Sequence, residues 1–239
     1  MLLTTKAIVL YYTKYSESSL IVHLFAESIG RISVIVYGVK GKKQSKLVSF
    51  QSLYLLDCVI DFKANRNVQV LKEHKINPPL INITSNIGKS TIAMFIAEIL
   101  FKCLREESAD EQLFSFVSTS VKVLNEMEKG VGLFHLAFLI KLSRYLGFGP
   151  DENLSGYNYY DLKTGRGLLA KPPHDFGLQI DLYKKLIDIY KVGFNELEAI
   201  NITFHEREQL LQAIIQLYEI HAINFNTLKS FSVLKEVFG

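Results

Sequence analysis

Two short segments contain residue types that bind or transfer phosphate in other proteins. Residues 88–91 (Gly-Lys-Ser-Thr) match the end of a nucleotide-binding P-loop, in which the lysine and a hydroxyl group hold phosphates and Mg²⁺. That loop also needs a glycine five positions before Gly88, where this chain has Ile83. Residues 175–177 (Asp-Phe-Gly) match part of the kinase signature, but the glycine-rich loop and the catalytic loop are missing. Both matches are interpreted as chance.

Histidine and cysteine residues show no catalytic or metal-binding spacing. The six histidines are scattered, and His205-Glu206 lacks the second histidine of a zinc-protease helix. Cys58 and Cys103 are the only cysteines, and they stand too far apart in the chain to form a CxxC zinc pair. Each lies in an apolar segment, which predicts a buried packing residue. The sequence therefore predicts no enzyme, no metal and no cofactor.

The other candidate functional residues are cations, and they are concentrated at the start of the chain. Residues 1–80 hold nine lysines and two arginines against three glutamates and two aspartates, whereas the remainder holds sixteen basic and nineteen acidic residues. Clustered cations bind nucleic acid because they replace counterions condensed on the phosphates. The alternative is a lysine-rich loop that only keeps the protein soluble. The predicted DNA contacts are Arg31, Lys40, Lys42, Lys43 and Lys46, followed by Lys14, Lys63 and Arg66.

Five β-like segments in the first 75 residues must position these cations. They are residues 6–12, 19–25, 32–37, 53–60 and 67–72, with turn-forming residues between them. Five short strands without crossover helices predict a small closed barrel, and the favoured type is an OB-fold, whose second and third strands bind oligonucleotides. An SH3-like barrel is the alternative. Tyr12 and Tyr37 are candidates for stacking on bases, against the alternative of packing on the barrel.

A helical period replaces the strand period after Pro78-Pro79. Apolar residues follow helical spacing in residues 92–103 and 134–145, and a capping box at 203–206 (Thr-Phe-His-Glu) opens a third helix. Residues 111–127, 181–191 and 228–237 are shorter helix candidates. Glycines and tyrosines at about 150–173 predict a loop or short hairpin insertion. The predicted fold class is α+β, with an OB-fold barrel at 1–79 and an all-α domain at 80–239.

No membrane-spanning or secretory segment is predicted. The longest apolar stretch, residues 91–104, is interrupted by Glu98 and Lys102, and it is shorter than the roughly 20 residues that cross a bilayer. The first twelve residues carry one charged side chain, Lys6, and offer no basic leader or small-residue cleavage site. We therefore expect a cytoplasmic protein.

The strands and turns also carry an ordered series of short motifs. It contains Tyr-Ser-Glu-Ser-Ser-Leu at 15–20, Gly-Arg at 30–31, and Val-Lys-Gly at 39–41 followed by lysines. This series resembles the RecO family of bacterial DNA repair and recombination mediators. In that family the second strand follows a Ser-Glu-Ser/Thr-Ser step and the third strand begins after Gly-Arg. Weaker similarity continues at 96–100 and 145–149.

The resemblance implies a role without catalytic residues. It implies binding of single- and double-stranded DNA, annealing of complementary strands, and action with RecR to load the RecA recombinase onto DNA coated by single-strand-binding protein. Some RecO proteins carry a four-cysteine zinc module in the region that corresponds to residues 156–173. This sequence has no cysteine there and resembles the zinc-free members.

The resemblance further implies a site on the helical domain for the acidic, phenylalanine-ended tail of single-strand-binding protein. Such a tail calls for an apolar pocket beside cations. Phe138, Leu142, Lys141 and Arg144 are the candidates, and Lys141 lies three residues after Phe138 on the same side of a helix. The alternative is a core helix that carries two solvated cations.

Two other functions stay open. A basic OB-fold barrel also suits an RNA-binding protein of translation or RNA turnover. A protein adaptor, in which the lysines only increase solubility, is the second alternative, and it predicts no DNA binding even at low salt.

Overall fold

The computed structural model describes residues 1–39, 45–104, 108–153 and 155–238, apart from the side chains of Ser45, Lys46 and Asn226. The chain divides into two compact units, Met1–Asn125 and Glu126–Gly239, and each is described by itself. The helices that directly follow the barrel belong to the first unit. The predicted domain boundary after residue 79 stays a prediction.

The first unit contains the predicted five-stranded barrel. Its hydrogen-bonded order, β1-β2-β3-β5-β4, closes because β4 also pairs with β1. All neighbouring strands are antiparallel except β3 and β5, which run parallel. This arrangement is the OB-fold, so the predicted fold class is confirmed and the SH3-like alternative is rejected. The strands are β1 (Leu2–Ser16), β2 (Ser19–Ala26), β3 (Gly30–Tyr37), β4 (Leu55–Asp61) and β5 (Gln69–Ile76).

The barrel closes because β1 is long enough to pair with two neighbouring strands. The first half of β1 pairs with β4, and the second half pairs with β2, with a register shift between Val9 and Tyr11. A shift of this kind increases the local twist and lets one strand turn the corner of a barrel. Alternate residues of β2 and β3, among them Val22, Leu24 and Val34, fill the interior and are fully buried.

The described part of the first unit also contains four helices: α1 (Ser45–Val48), α2 (Ile81–Ser85), α3 (Ile87–Cys103) and α4 (Glu111–Glu126). Nine of the seventeen residues of α3 are buried, because the helix is apolar on much of its circumference. Lys89, the lysine of the P-loop-like segment, is buried, and its Nζ donates to the carbonyl oxygen of Asn125 at 2.7 Å. That side chain thus links α3 to the end of α4.

The second unit is helical with a small sheet inserted. Its core surrounds α5, and the hydroxyl of Tyr218 donates to the carbonyl oxygen of Leu139 at 2.8 Å inside it. Short 3-10 helices occur at Phe194–Ala199 and Phe225–Thr227. The remaining elements are α5 (Val131–Tyr145), β6 (Tyr159–Asp161), β7 (Arg166–Leu168), β8 (Gly177–Gln179), α6 (Ile180–Lys191), α7 (Phe204–His221) and α8 (Ser230–Phe238).

The predicted helices all occur, and the capping box of α7 forms. The Thr203 hydroxyl accepts from the Glu206 amide at 3.2 Å, and the Glu206 carboxylate accepts from the Thr203 amide at 2.9 Å. The insertion differs from the prediction because a third strand, β8, lies beyond it and pairs with β6. Among the described residues, no helix combines the length and the apolar character that a membrane crossing requires.

Candidate nucleic-acid interface

The outer surface of strands β1, β2, β3 and β5 presents a continuous row of side chains. Thr13, Ile21, Ile35 and Val70 lie directly opposite one another from strand to strand. All four are half-buried, whereas their sequence neighbours Leu20, Val22, Val34 and Val36 point into the barrel. We call these four residues the cross-strand row. A half-exposed row of three aliphatic side chains and one threonine on this face offers a surface on which bases can lie.

One end of this face is covered by α3. The ring of Phe101 packs against Tyr11 and His23, with ring centroids 6.1 Å and 4.9 Å away. The Arg31 guanidinium lies over the same ring at 4.9 Å, and its Nη1 donates to the Phe101 carbonyl oxygen at 3.3 Å. Nδ1 of His23 is 2.9 Å from the Ser33 hydroxyl. These contacts give Arg31 a packing role, and its assignment as a DNA contact stays a prediction.

Exposed aromatic and basic side chains surround the opposite end of the face. Tyr37, on the same side of β3 as Ile35, is 57% exposed. Tyr12 is 41% exposed, but it pairs with the inward-facing Val22 and so lies on the other side of β1 from the cross-strand row. Tyr15 and Lys14 are also exposed, beside the turn that joins β1 to β2. These positions satisfy the exposure that base stacking requires. The stacking role itself stays a prediction.

The β1–β2 turn anchors the chain that leads into the lysine segment. The backbone amides of Gly38 and Val39 both donate to the carbonyl oxygen of Ser18, at 2.9 Å and 3.1 Å. Val39 immediately precedes Lys40. The predicted contacts Lys40, Lys42 and Lys43 lie outside the described residues, as does the side chain of Lys46.

A buried glutamine organises the loop between β4 and β5. The side-chain oxygen of Gln69 accepts from the Lys63 amide at 2.8 Å, and its nitrogen donates to the carbonyl oxygens of Lys63 at 3.0 Å and Arg66 at 2.6 Å. Gln69 itself is only 1% exposed. Lys63 is exposed, while Arg66 is half-buried, with its Nη1 3.8 Å from an Asp61 oxygen. In OB-folds this loop borders the oligonucleotide-binding face.

The thiols of the chain are poorly suited to nucleophilic chemistry. Burial, together with the Asp57 charge, raises the pKa of Cys58 to about 12, and burial alone raises the pKa of Cys103 to about 12. A thiol with such a pKa is protonated at neutral pH, and the thiolate is the reactive form. Within residues 1–39, 45–104, 108–153 and 155–238, no three His, Cys, Asp or Glu side chains are grouped to hold a metal ion.

Comparisons with known proteins agree along the whole chain. The family model of the recombination protein O N-terminal domain matches residues 1–79, and that of the C-terminal domain matches residues 84–229. The chain belongs to the RecO family. Three relatives bear the name DNA repair protein RecO, and the match spans 100% of both chains in each case. They come from Azobacteroides pseudotrichonymphae genomovar. CFP2 (33% identical over 242 residues), Bacteroides fragilis strain YCH46 (34% over 243) and Flavobacterium psychrophilum (35% over 245).

Membership of the RecO family identifies the chain as a DNA repair and recombination protein with an OB-fold barrel. The resemblance that the strand motifs carried is thereby confirmed. One of those motifs has a structural reason as well: Gly30 has a φ of +79°, and a Cβ atom there would lie 2.3 Å from the backbone oxygen of Ser108. In this RecO chain, both residues of the Gly-Arg pair therefore help the barrel to pack closely: Gly30 against the connection after α3, and Arg31 against Phe101 of α3.

The four candidate partner residues on α5 of this RecO chain occupy different environments. Phe138 and Leu142 are fully buried in the core. Lys141 is half-buried, donates to the carbonyl oxygen of Tyr190, and has its pKa lowered by burial. Arg144 is exposed, and its Nη1 donates to the Tyr190 hydroxyl at 3.3 Å. Two of the four side chains are therefore core residues, and the role of the four in partner binding stays a prediction.

Sequence reasoning missed the cross-strand row and Gln69. Ile35 did carry a signal, because it is an apolar residue on the outward side of a strand whose inward side is already apolar. Val70 carried none, since its place in the row depends on the parallel pairing of β3 with β5, which are distant in the chain. Gln69 looked like an ordinary polar strand residue, and only the tertiary structure identifies its partners.

Proposed function

We propose that this chain binds single- and double-stranded DNA on the barrel, anneals complementary strands, and acts with RecR to help load RecA onto DNA coated by single-strand-binding protein. The observation that carries the proposal is the cross-strand row between the exposed Tyr37 and the loop of Lys63 and Arg66. Membership of the RecO family supports the assignment to DNA repair.

In the proposed binding, apolar and aromatic groups contact the bases, and charged groups contact the phosphates. Bases stack on Tyr37 and rest on the half-buried isoleucines, because every base has an apolar face. Lys14 and Lys63, with the lysines of residues 40–46, neutralise phosphates and release counterions. Annealing then needs no bond to be made or broken by the protein. It needs two polyanions to approach, which the basic excess of residues 1–80 favours.

An RNA-binding role is the alternative that uses the same surface. Stacking and phosphate contacts do not distinguish DNA from RNA, whereas a protein group placed at the 2′-hydroxyl does. The DNA-binding and RNA-binding roles are distinguished by a competition experiment. Unlabelled RNA and unlabelled DNA of the same sequence each compete with a fluorescent single-stranded DNA for the protein. We expect DNA to compete at least as well as RNA, and a strong preference for RNA would contradict the repair role.

Base stacking by Tyr37 is tested by substitution. Removal of one stacking ring costs about 1–3 kcal/mol, so Tyr37→Ala should weaken single-stranded DNA binding about 5- to 150-fold. Tyr37→Phe keeps the ring and should bind as the wild type does. Tyr145→Ala, which removes an exposed tyrosine from the helical unit, is the matched control. If Tyr37→Ala binds like that control, the ring does not contact bases.

For the acidic tail of single-strand-binding protein we propose a groove in the helical unit in place of the buried α5 side chains. The groove has a volume of about 550 Å³ and is lined by Leu133, Ile200 and Phe204, with Arg207 at the same site and Lys129 facing Glu198 there at 3.4 Å. Phe204 is 54% exposed, so an apolar end group can reach it. Phe204→Ala should weaken binding of an acidic, phenylalanine-ended peptide, measured by fluorescence anisotropy, and Tyr145→Ala should leave it unchanged.

A further inference from the structure

The hairpin of β6 and β7 in the helical unit is held firmly from one side. The ring of Tyr160 stacks on Tyr183 of α6 with centroids 3.7 Å apart and an interplanar angle of 10°. Gly167 lies opposite Tyr160 and leaves room for the ring of Tyr157, since a Cβ atom at this glycine would lie 2.1 Å from that ring. These contacts fix the position of the hairpin backbone, and therefore also the positions from which its other side chains extend.

The cations of the helical unit fall into two groups. Residues 126–239 contain twelve lysines and arginines. Nine of them have a carboxylate, carbonyl, hydroxyl, ring or other partner in the structure: Lys129, Lys141, Arg144, Lys184, Lys185, Lys191, Arg207, Lys229 and Lys235. Within the described part of the unit, the other three have no side-chain partner. They are Lys163, Arg166 and Lys171, and all three are exposed.

The three cations without a partner share one short element. They lie within residues 163–171, in the turn of the hairpin, at the start of β7 and just after β7. The surrounding unit is acidic, because residues 126–239 contain fourteen aspartates and glutamates against twelve basic residues. The hairpin is therefore a local positive site in a unit of opposite overall charge.

The carboxylate of the hairpin does not neutralise these cations. Asp161 is the only acidic residue between 157 and 171, and it is 4% exposed. Its oxygens accept from the Lys163 backbone amide at 2.9 Å and the Thr164 hydroxyl at 2.7 Å, and one lies 3.6 Å from Nε2 of His174. The carboxylate thus shapes the turn from within and leaves the exposed charge positive.

We propose that the β6–β7 hairpin is a second nucleic-acid contact, where Lys163, Arg166 and Lys171 bind backbone phosphates. The inference rests on the proposed DNA-binding function and extends it from the barrel to the helical unit. Exposed cations on a fixed hairpin suit phosphates, because binding needs only charge and released counterions, and an arginine can bind a phosphate with two parallel hydrogen bonds. With a second surface, one molecule holds two strands, as annealing requires.

An acidic peptide is the competing ligand for the same charges. The turn residues Thr164 and Gly165 line an apolar pocket of about 250 Å³ together with Phe148. None of the three cations lines that pocket, so charge and pocket are not combined as an acidic, apolar-ended peptide would need. A polyanion needs no pocket, and the observations therefore favour nucleic acid.

The test compares two triple variants of the full chain that lose the same charge. Lys163→Ala/Arg166→Ala/Lys171→Ala removes the hairpin cations. Lys184→Ala/Lys191→Ala/Lys235→Ala removes three exposed cations with partners: two face carboxylates at 3.0 and 3.3 Å, and the third lies over the Phe231 ring at 4.5 Å. Affinity for a fluorescent single-stranded oligonucleotide is measured over a salt series, with circular dichroism to verify folding. A third variant, Lys163→Arg/Arg166→Lys/Lys171→Arg, keeps the charges.

The hairpin variant should bind about tenfold more weakly at low salt, with a slope of log K against log salt that is shallower by about 2. The charge-matched control and the charge-preserving variant should keep the wild-type slope. A hairpin variant that behaves like the control overturns the inference and leaves barrel binding intact. A hairpin variant that loses only binding of an acidic, phenylalanine-ended peptide, and binds DNA as the wild type does, also overturns the inference. Failure of the wild type to bind DNA at all would instead remove the proposed function.

Discussion

Gln69 links the core of the barrel to its binding surface. The side chain satisfies one amide and two carbonyl groups of the β4–β5 loop, which carries Lys63 and Arg66. We expect Gln69→Leu to lower the free energy of unfolding by about 1–3 kcal/mol, because it removes these hydrogen bonds and leaves buried polar groups unpaired. Urea unfolding measures the change.

The same substitution should also weaken DNA binding, since the loop that carries the two cations loses its anchor. Gln51→Leu alters an exposed glutamine of the first unit and should change neither quantity beyond about 0.5 kcal/mol. A Gln69→Leu protein with wild-type stability would show that the loop does not depend on this side chain.

His135 makes the stability of the helical unit sensitive to acid. Burial, with a smaller contribution from the Arg207 charge, lowers the pKa of His135 to about 3. The unfolded chain takes up this proton below its ordinary pKa of about 6.5, whereas the folded chain does not. Stability is therefore complete above about pH 6.5 and falls as the pH drops towards 3, by up to about 1.4 kcal/mol per pH unit.

His135→Leu should reduce this loss between pH 7 and pH 5, as measured by urea unfolding at both values. His205→Leu, on the exposed start of α7, is the control and should keep the wild-type pH dependence. An unchanged pH dependence in His135→Leu would contradict the buried, neutral state of this histidine.

Gly30 of β3 is in close contact with the connection between α3 and α4. The residue has a φ of +79°, and the backbone of Ser108 occupies the space of a Cβ atom. Gly38 has a φ of +73° and open space around it. Gly30→Ala should therefore cost about 2–4 kcal/mol, from backbone strain and overlap together. Gly38→Ala should cost about 1 kcal/mol, from strain alone. Equal thermal stability of the two variants would contradict the close approach.

The elements that follow from local pattern could be predicted, and those that depend on distant pairing could not. The alternation of Ile32, Val34 and Val36 marked β3, and Thr203 with Glu206 marked the start of α7, because both patterns act within a few residues. The third strand of the inserted sheet was missed. Its three residues, Gly177–Gln179, become a strand only by pairing with β6.

The candidate site could be predicted only in part, because charge and exposure follow local sequence patterns whereas the packing of a side chain depends on distant residues. Charge clustering indicated the basic loops, and exposure supports Tyr12, Tyr37, Lys14 and Lys63 as surface residues. Sequence spacing could not tell a surface-facing from a core-facing residue on α5, which is apolar on most of its circumference, so Phe138 was selected although it is buried.

The whole molecule combines two kinds of surface. The barrel supplies a face with apolar and aromatic groups, which suits bases, and the helical unit supplies a hairpin with cations alone, which suits phosphates. Both surfaces lie on a chain whose two domains match the RecO family. The proposed annealing and recombinase loading both depend on binding of DNA through the barrel.

The most direct test is the salt dependence of single-stranded DNA binding by the wild type and by Lys40→Ala/Lys42→Ala/Lys43→Ala/Lys46→Ala. For three to six phosphate contacts, the wild-type slope of log K against log salt should be about −2 to −4. The variant should bind more weakly with a shallower slope. A wild type that does not bind DNA at low salt would contradict the account, and a variant that binds equally well would remove the lysine segment from the site.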